Sequence, residues 1–526
     1  MWNSSVQRKR GIAGRTFKQT PFSSDWKISV TERPQGILSR LTPLTPLDLR
    51  ACRTVSDIVA GMALCSFGAR MLGEVAATLT TWLSNGPRPV LIYDGKTSMP
   101  LYHLLRKLCN LQNDTYGKGF EGPYSPDEFV RANKTKERAL IVGQYPERIE
   151  DELHALVGDA IFVNVTRQCK PGQVQDGYFP NVVFADPTYI MPLLALVFDE
   201  RLNGTAHDVA DLMHELQNYG GTAKQVVHGA YTLRKMLEDR RCTVMLTLSG
   251  AMTIAKMQRV ITDLLDTGRI ALVSATGALN THGFVEGSGG MHYKHDPTIP
   301  DEDLAAEGLN RVTDTIEPEG NFDLIEGYVI EALDAIVAKG SLITNSAALH
   351  WEMGRRLAER DPTARAILAT AYRQNIPVLT SAVMDSEVGN DIFVHNARRR
   401  AMGLEPIIFD QERDTRVLFA LGRDAERLGI FTIGGGVPRN NTQNVGPLAE
   451  IYAARLGEKM DPVRFFYACR ICPDHMDTGH LSGCTYREGA TWRKFDFDGM
   501  LAEVQADATL TWPFMQKFAT ARLLAA

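Results

Sequence analysis

Two pairs of windows in this 526-residue chain match one another without a gap, and that constrains the fold more than any other feature. Residues Val55 to Leu83 carry Val55, Ile58, Val59, Met62, Leu72, Val75, Leu79 and Leu83 at helical spacing, then an apolar strand, "VLIYDG". Residues Val209 to Leu237 repeat the stripe and share Asp57/Asp211, Ala69/Ala223, Ala76/Ala230, Thr78/Thr232 and Leu79/Leu233, and "TVMLTLSG" follows. Near the ends of the two halves, "ADPTYIMPLLALVFDERL" (185–202) aligns on "ADATLTWPFMQKFATARL" (506–523), with Ala, Asp, Thr, Pro, Arg and Leu in register. Halves that open alike and close alike predict a duplicated fold: a shortened copy at 46–204 and a full copy at 205–526, preceded by an arm at 1–45. The arm is basic, with Arg8, Lys9, Arg10, Arg15 and Lys18 before the first acid, Asp25, and is expected to be partly disordered.

Between these ends, short apolar strands alternate with amphipathic helices. The first half runs "ALIVGQ", "ERIEDELHALVG", "AIFVNVT", "NVVFAD"; the second runs "IALVSATG", "FDLIEGYVIEALDAIVA", "IPVLTSAVM", "IFTIGGG", "RFFYACRI". That order predicts an α/β fold, a mostly parallel sheet with helices on both faces, whose chemistry sits beyond the carboxyl ends of the strands.

Composition removes several function classes. A net charge of -5 with no long basic run past the arm argues against nucleic acid as a partner. The longest conspicuous apolar stretch, Tyr189 to Phe198, is too short to span a bilayer, so no membrane partner is expected. Eight cysteines in so long a chain make no disulfide framework, and the compartment reads as cytoplasmic.

The strand ends of the second half hold the candidate chemistry. "TIGGGVPRN" puts Gly434, Gly435 and Gly436 after a strand, where bare backbone approaches a phosphate closely or simply makes a tight turn. "LSGAMT" offers Ser249 and Thr253, "SATG" offers Ser274 and Thr276, and "VLTSAVMDSEVGND" brings Asp385 to a strand end. In "SGCTYREGATWRKF", Trp492 and Lys494 lie two apart; on extended backbone they share a face, and an indole beside an amine would favour its uncharged, nucleophilic form. An edge strand with one buried and one snorkelling side chain has the same spacing. A rival reading is a metal site from Cys469, Cys472, His475, His480 and Cys484. His282, His292 and His295 in "THGFVEGSGGMHYKH" are expected in a mobile loop over the nucleotide, and the expected site holds no metal.

The ordered series "GLNRVTDTIEPEGNFDLIE", "IPVLTSAVMDSEVGN", "FTIGGGVPRNN", "SGCTYREGATWRK" and "ADATLTWPF" resembles deoxyhypusine synthase and its homospermidine-synthase-like relatives over nearly the whole second half. The resemblance implies a Rossmann-like sheet, NAD as cofactor, homo-oligomers built from paired subunits (dimer or tetramer), and transfer of a 4-aminobutyl group from a polyamine to an amine. By position it makes Lys494 the imine-forming lysine, with Trp492 and Glu488 as its catalytic companions. It assigns NAD contacts to Ser249, Thr253, Asp385, Gly434, Gly435, Gly436, Ser482, Ala506 and Asp507, and substrate contacts to Asn390, Asn440 and Asn444, with Asp391 a neighbouring carboxylate. Where the family carries acids, this chain has Thr281, Asn390 and Leu481, and where the family has an active-site histidine it has Asn440. Fewer carboxylates remove the charge-assisted contacts that hold a polycation. The expected reaction is therefore aminobutyl-type transfer between small-molecule amines; a protein-lysine acceptor and a non-catalytic paralogue are the alternatives. The first half lacks the glycine turn and the lysine loop and is expected to be a degenerate partner.

Overall fold

A computed structural model describes residues 36–96, 98–109, 119–170, 172 and 179–523. Most of the N-terminal arm, 1–35, lies outside the described residues, as does the disorder expected of it.

The chain builds two parallel sheets in succession. The first contains β1 (Val90–Tyr93), β2 (Glu121–Tyr124), β3 (Lys136–Val142), β4 (Val157–Asn164) and β5 (Val182–Phe184), in the order β2-β1-β3-β4-β5. After β6 (Cys242–Leu248) and β7 (Ile270–Ala275) come three short strands, β8 (Tyr293–Lys294), β9 (Leu309–Val312) and β10 (Thr315–Pro318), which form a small antiparallel sheet ordered β8-β10-β9. Then β11 (Ile343–Thr344), β12 (Val378–Leu379) and β13 (Ile408–Phe409) precede β14 (Arg427–Ile433), β15 (Phe465–Ile471) and β16 (Phe495–Val504). The second large sheet runs β12-β7-β6-β14-β15-β16, all parallel. With β12 set aside, the two orders coincide strand for strand. The expected α/β class, mostly parallel with helices on both faces, is what the chain adopts; the antiparallel module was not foreseen, because strands of two to four residues leave too little alternation to read.

Burial explains the parallel pairing. In β6 all but one residue is buried and β14 is buried after its first residue, so helices must cover both faces. Local geometry repeats as well as sequence. The helices Val55–Met62 and Val209–Leu216 each start with a capping box, from Thr54 and Asp57 in one and Asp208 and Asp211 in the other. The helices that follow begin at Phe67 and Gly221, whose φ angles are +56° and +58°. Asp186 and Asp507 cap the helices Pro187–Asn203 and Ala508–Thr520, each with one internal proline, Pro192 or Pro513.

The halves interlock reciprocally. The Thr222 N–H donates to Asp186 Oδ2 at 2.9 Å, while the Ala69 N–H donates to Thr509 Oγ1 at 3.1 Å. Buried Tyr189 donates its hydroxyl to the Leu510 carbonyl at 2.9 Å. One apolar core runs through both, from Val55 and Leu72 to Trp512 and Phe518. Among the described residues no single helix is long and apolar enough to cross a membrane.

Candidate active site

The site forms at the carboxyl ends of β6, β7, β14 and β15. Strand β14 stops at Ile433 because Gly434 (φ +80°) and Gly436 (φ +63°) take left-handed backbone that side chains resist. The turn is pinned on both sides. The Gly434 N–H donates to the Ile471 carbonyl at 2.8 Å, and the Ser249 hydroxyl donates to the Gly435 carbonyl. A Cβ on Gly435 would lie 2.8 Å from Ser482 Cβ, so only glycine lets these segments close together. Ser249, Gly434, Gly435, Gly436 and Ser482 are thus gathered at one point. Thr276 caps the helix Gly277–Gly287 and donates to the Gly250 carbonyl at 2.7 Å, and buried Thr253 donates to the Leu279 carbonyl at 3.0 Å. Exposed Asp385 is held beside this helix, since Gly277 abuts Ser386 so closely that a Cβ would reach its Cβ at 2.4 Å.

Lys494 enters at the amino end of β16, where its carbonyl accepts from the Phe465 N–H at 3.0 Å, and its side chain reaches the helix Gly436–Gln443 that follows the turn. The residues before it are not extended: Tyr486–Thr491 is a helix capped by Thr485, and Arg493 closes it at φ +62° while the Lys494 N–H reaches back to the Gly489 carbonyl at 3.2 Å. Trp492 therefore points away and is 67% exposed, so within one chain the indole does not wall off the amine. The half-buried Nζ instead donates to Asn440 Oδ1 at 2.7 Å. Burial lowers the lysine pKa first, and the guanidinium of Arg439 lowers it further, against the opposing pull of Cys484 and exposed Glu488. This favours a neutral amine without a tryptophan wall.

Two arginines that the sequence reading missed hold the approach to this lysine. Buried Arg439 donates to the carbonyls of Ser482 (3.1 Å) and Leu481 (3.1 Å). Buried Arg470 donates to those of Cys484 (2.6 Å), Ser482 (3.2 Å) and Gly483 (3.2 Å). A charge inside the apolar run "RFFYACRI" was the available signal, because a buried cation must find partners.

Other expected residues are placed differently. Asn390 and Asp391 lie on the helix Glu387–Ala401, which Ser386 caps a few residues after the short β12. Asn390 is exposed. Asp391 is partly buried, and burial together with Glu326, Glu387 and Asp323 pushes its carboxyl up to about 7, so it makes a poor ligand for a cation. Asn444 is exposed at the junction of the helices Gly436–Gln443 and Val445–Leu456. Ala506 and Asp507 follow edge strand β16, two strand positions or roughly 10 Å from the glycine turn. The Asp507 carboxylate caps its own helix and abuts Gly68 of the first half. Thr281 is fully buried, bonded to the Gly277 carbonyl at 3.0 Å, and Leu481 is 59% exposed.

The cysteine-centred metal reading does not fit the geometry. Cys469 faces the Gly229 carbonyl inside the core, and His475 pairs with Gln505. Among the described residues the one cluster with metal-ligand spacing is His282, His292 and Glu317. Nor do His282, His292 and His295 lie in a loop over a nucleotide: all three are buried, and His282 belongs to the helix Gly277–Gly287.

A parallel sheet covered by helices, a glycine turn at its carboxyl edge and a half-buried lysine amine bonded to the helix after that turn define the class, a Rossmann-like α/β protein. The sequence model of the deoxyhypusine synthase family matches residues 211–518, and the chain belongs to that family. It is 30% identical over 307 residues to "Probable deoxyhypusine synthase 2" of Methanosarcina acetivorans, covering 58% of this chain and 85% of that protein. It is 28% identical over 320 residues to "Deoxyhypusine synthase-like protein" of Chlorobaculum tepidum, covering 60% and 87%. A third relative, "Probable deoxyhypusine synthase 2" of Archaeoglobus fulgidus, is 29% identical over 283 residues, covering 53% and 88%. Membership implies transfer of an aminobutyl group.

Proposed function

We propose that the chain is an NAD-dependent transferase of 4-aminobutyl-type groups, acting on a polyamine or related amine through an imine at Lys494, with a small-molecule amine as acceptor. The observation that carries this reading is Lys494 itself, a half-buried amine bonded to a neutral amide and biased toward its uncharged form. NAD, when bound, supplies reversible hydride acceptance from the carbon beside an amine. The bare backbone of Gly434–Gly436, hydroxyls at Ser249 and Ser482, and exposed Asp385 fit such a group, because a side chain on the turn would fill the cradle, whereas Thr253, fully buried and bonded to the Leu279 carbonyl, does not reach it. Asn440 Oδ1 accepts a hydrogen bond from Nζ and so orients the nitrogen lone pair toward the substrate. Glu488 supplies a carboxylate for a cationic end of the substrate. Thr281 and Leu481 add no charge, which favours an amine less cationic than spermidine and supports a free amine acceptor over a protein lysine.

The N-terminal half reads as a degenerate copy of the same fold, supported by the shared strand order, the paired capping boxes and the reciprocal aspartate caps. Assembly of whole chains in pairs belongs to the same proposal. The test of activity is borohydride trapping. The full chain with NAD and a panel of polyamines and guanidino amines should yield a mass adduct on Lys494, absent without NAD and in Lys494→Arg. Adducts that persist in Lys494→Arg, or none with any amine, overturn the reading.

A further inference from the structure

A closed group of ionisable side chains lies apart from Lys494, where the helix Gly277–Gly287 meets the antiparallel module. His282 comes from that helix, His292 from the segment entering β8, and Glu317 from β10. Their exposures are 8%, 0% and 1%. Glu317 Oε2 lies 2.6 Å from His282 Nδ1 and 2.9 Å from His292 Nε2, and the three ligand atoms are within 4.8 Å of one another. Residues 25 and 35 positions from Glu317 in the chain thus converge on one point, from three elements.

We propose that His282, His292 and Glu317 bind one divalent transition metal of the zinc class, through Nδ1, Nε2 and Oε2. Two imidazoles and a carboxylate are a donor set that such ions favour over magnesium or calcium, and three protein ligands leave a position for water. The outer partners match those of metal ligands. Asn321 Nδ2 donates to Glu317 Oε1 at 3.0 Å, which fixes the carboxylate and turns Oε2 inward. On the far side of His292, Nδ1 faces Glu286 at 3.5 Å, the acceptor that a metal-bound imidazole needs for its Nδ1–H; Lys256 Nζ lies at 2.8 Å and, since an ammonium only donates, metal binding through Nε2 requires it to turn to Glu286, with which it already pairs. His282 Nδ1, despite its approach to Glu317, is enclosed and lacks the alignment of a hydrogen bond. Lys256 and Glu286 cancel, so Glu317 leaves one buried negative charge, which a bound cation or a protonated His292 offsets. The alternative is a metal-free network in which one imidazole is protonated.

The ion would tie the antiparallel module to the C-terminal sheet and to the segment from the first half that lies on it. The Leu44 N–H donates to the His292 carbonyl (2.9 Å) and the Leu47 N–H to the Lys256 carbonyl (3.0 Å).

The test is elemental analysis of the untagged full chain purified without chelators. About one zinc-class ion per chain is expected. Dipicolinate should strip it and lower the unfolding midpoint, and cobalt(II) reloading should give the visible absorption of a low-coordinate site. His282→Gln and Glu317→Gln should each weaken metal binding by about 10-fold or more. The rate of Lys494 labelling is expected to be unchanged in both, which separates this site from the transferase proposal. A native chain with no stoichiometric metal and no cobalt spectrum overturns the assignment, as does undiminished binding in both variants. If the variants do not fold, the native protein's metal content and cobalt spectrum decide alone.

Discussion

Replacing Asp391 by asparagine should stabilise the protein, and only above acid pH. The carboxyl sits between the helices Glu387–Ala401 and Gly320–Ala338, with Glu326, Glu387 and Asp323 nearby. Its nearest cation, Arg398, is engaged with Glu326 at 2.9 Å. Burial first, then Glu326, raises the carboxyl from 3.8 to about 7. The folded chain therefore holds this proton while the unfolded chain has released it. Stability contributed at the site is present below pH 3.8 and is lost as pH rises toward 7. At about 1.4 kcal/mol per unit the full shift amounts to roughly 4 kcal/mol, and partial exposure to solvent reduces this to about 1–2 kcal/mol. Asp391→Asn, neutral at every pH, should match the wild type near pH 4 and gain about 1–2 kcal/mol at pH 8. Urea unfolding of both proteins across that range measures the difference. A gain of equal size at every pH, or a loss at pH 8, would refute the argument. Below pH 7, where the acid keeps its proton and is no ligand for an ammonium, the variant's KM for amines should also be unchanged.

Asn440→Asp would set a carboxylate 2.7 Å from the lysine amine and raise its pKa; a shift of about one unit lowers Lys494 labelling at pH 8 about tenfold, readable from the pH profile of modification by a carbonyl reagent and borohydride. Gly435→Ala forces its new methyl against Ser482 Cβ and backbone, so the unfolding midpoint should fall and NAD titration should show weaker binding. Trp492→Ala removes an exposed ring and should alter stability by less than about 0.5 kcal/mol; a large loss of turnover would then mean that substrate or a second chain covers the indole.

The sheets were legible because parallel strands buried on both faces read as unbroken apolar runs, as in "TVMLTLSG" and "IFTIGGG". The glycine turn was legible because three glycines after such a run permit little else. What failed was local geometry. The stretch before Lys494 reads as turn-rich, but Thr485 caps a helical turn that the spacing of Trp492 and Lys494 conceals, and the expected indole wall went with it. The helix that carries Asn390 and Asp391 was hidden for the same reason, since a strand of two residues gives way to it within a few positions. The Arg439 and Arg470 clamp depends on carbonyls 12 to 45 residues away, and no local pattern announces contacts of that range. The histidine cluster depends on three elements meeting, which spacing alone did not reveal.

Two sheets with one strand order pose a sharper question: why chemistry should attend one and not the other. In the first sheet the crevice between β1 and β3, where the strand order reverses, is where an α/β sheet takes a ligand. Asp94 occupies it. Its Oδ2 accepts from the Gln144 N–H at 2.8 Å, and a Cβ on Gly143 would come within 2.3 Å of the same oxygen. A carboxylate bonded to the amide that would otherwise face a phosphate both fills and repels, so the crevice is self-liganded. In the second sheet the Gly434 N–H is taken by the Ile471 carbonyl, among the described residues no carboxylate closes on the turn, and the opposing side chain is the Ser249 hydroxyl, which is neutral. Calorimetric titration of the full chain with NAD should therefore saturate at one equivalent, not two. Asp94→Asn, which keeps the hydrogen bond and removes the charge, should still bind only one, because no glycine triplet follows β3. Two equivalents in the wild type would show that the aspartate does not block its crevice, and the difference between the halves would have to lie beyond nucleotide binding.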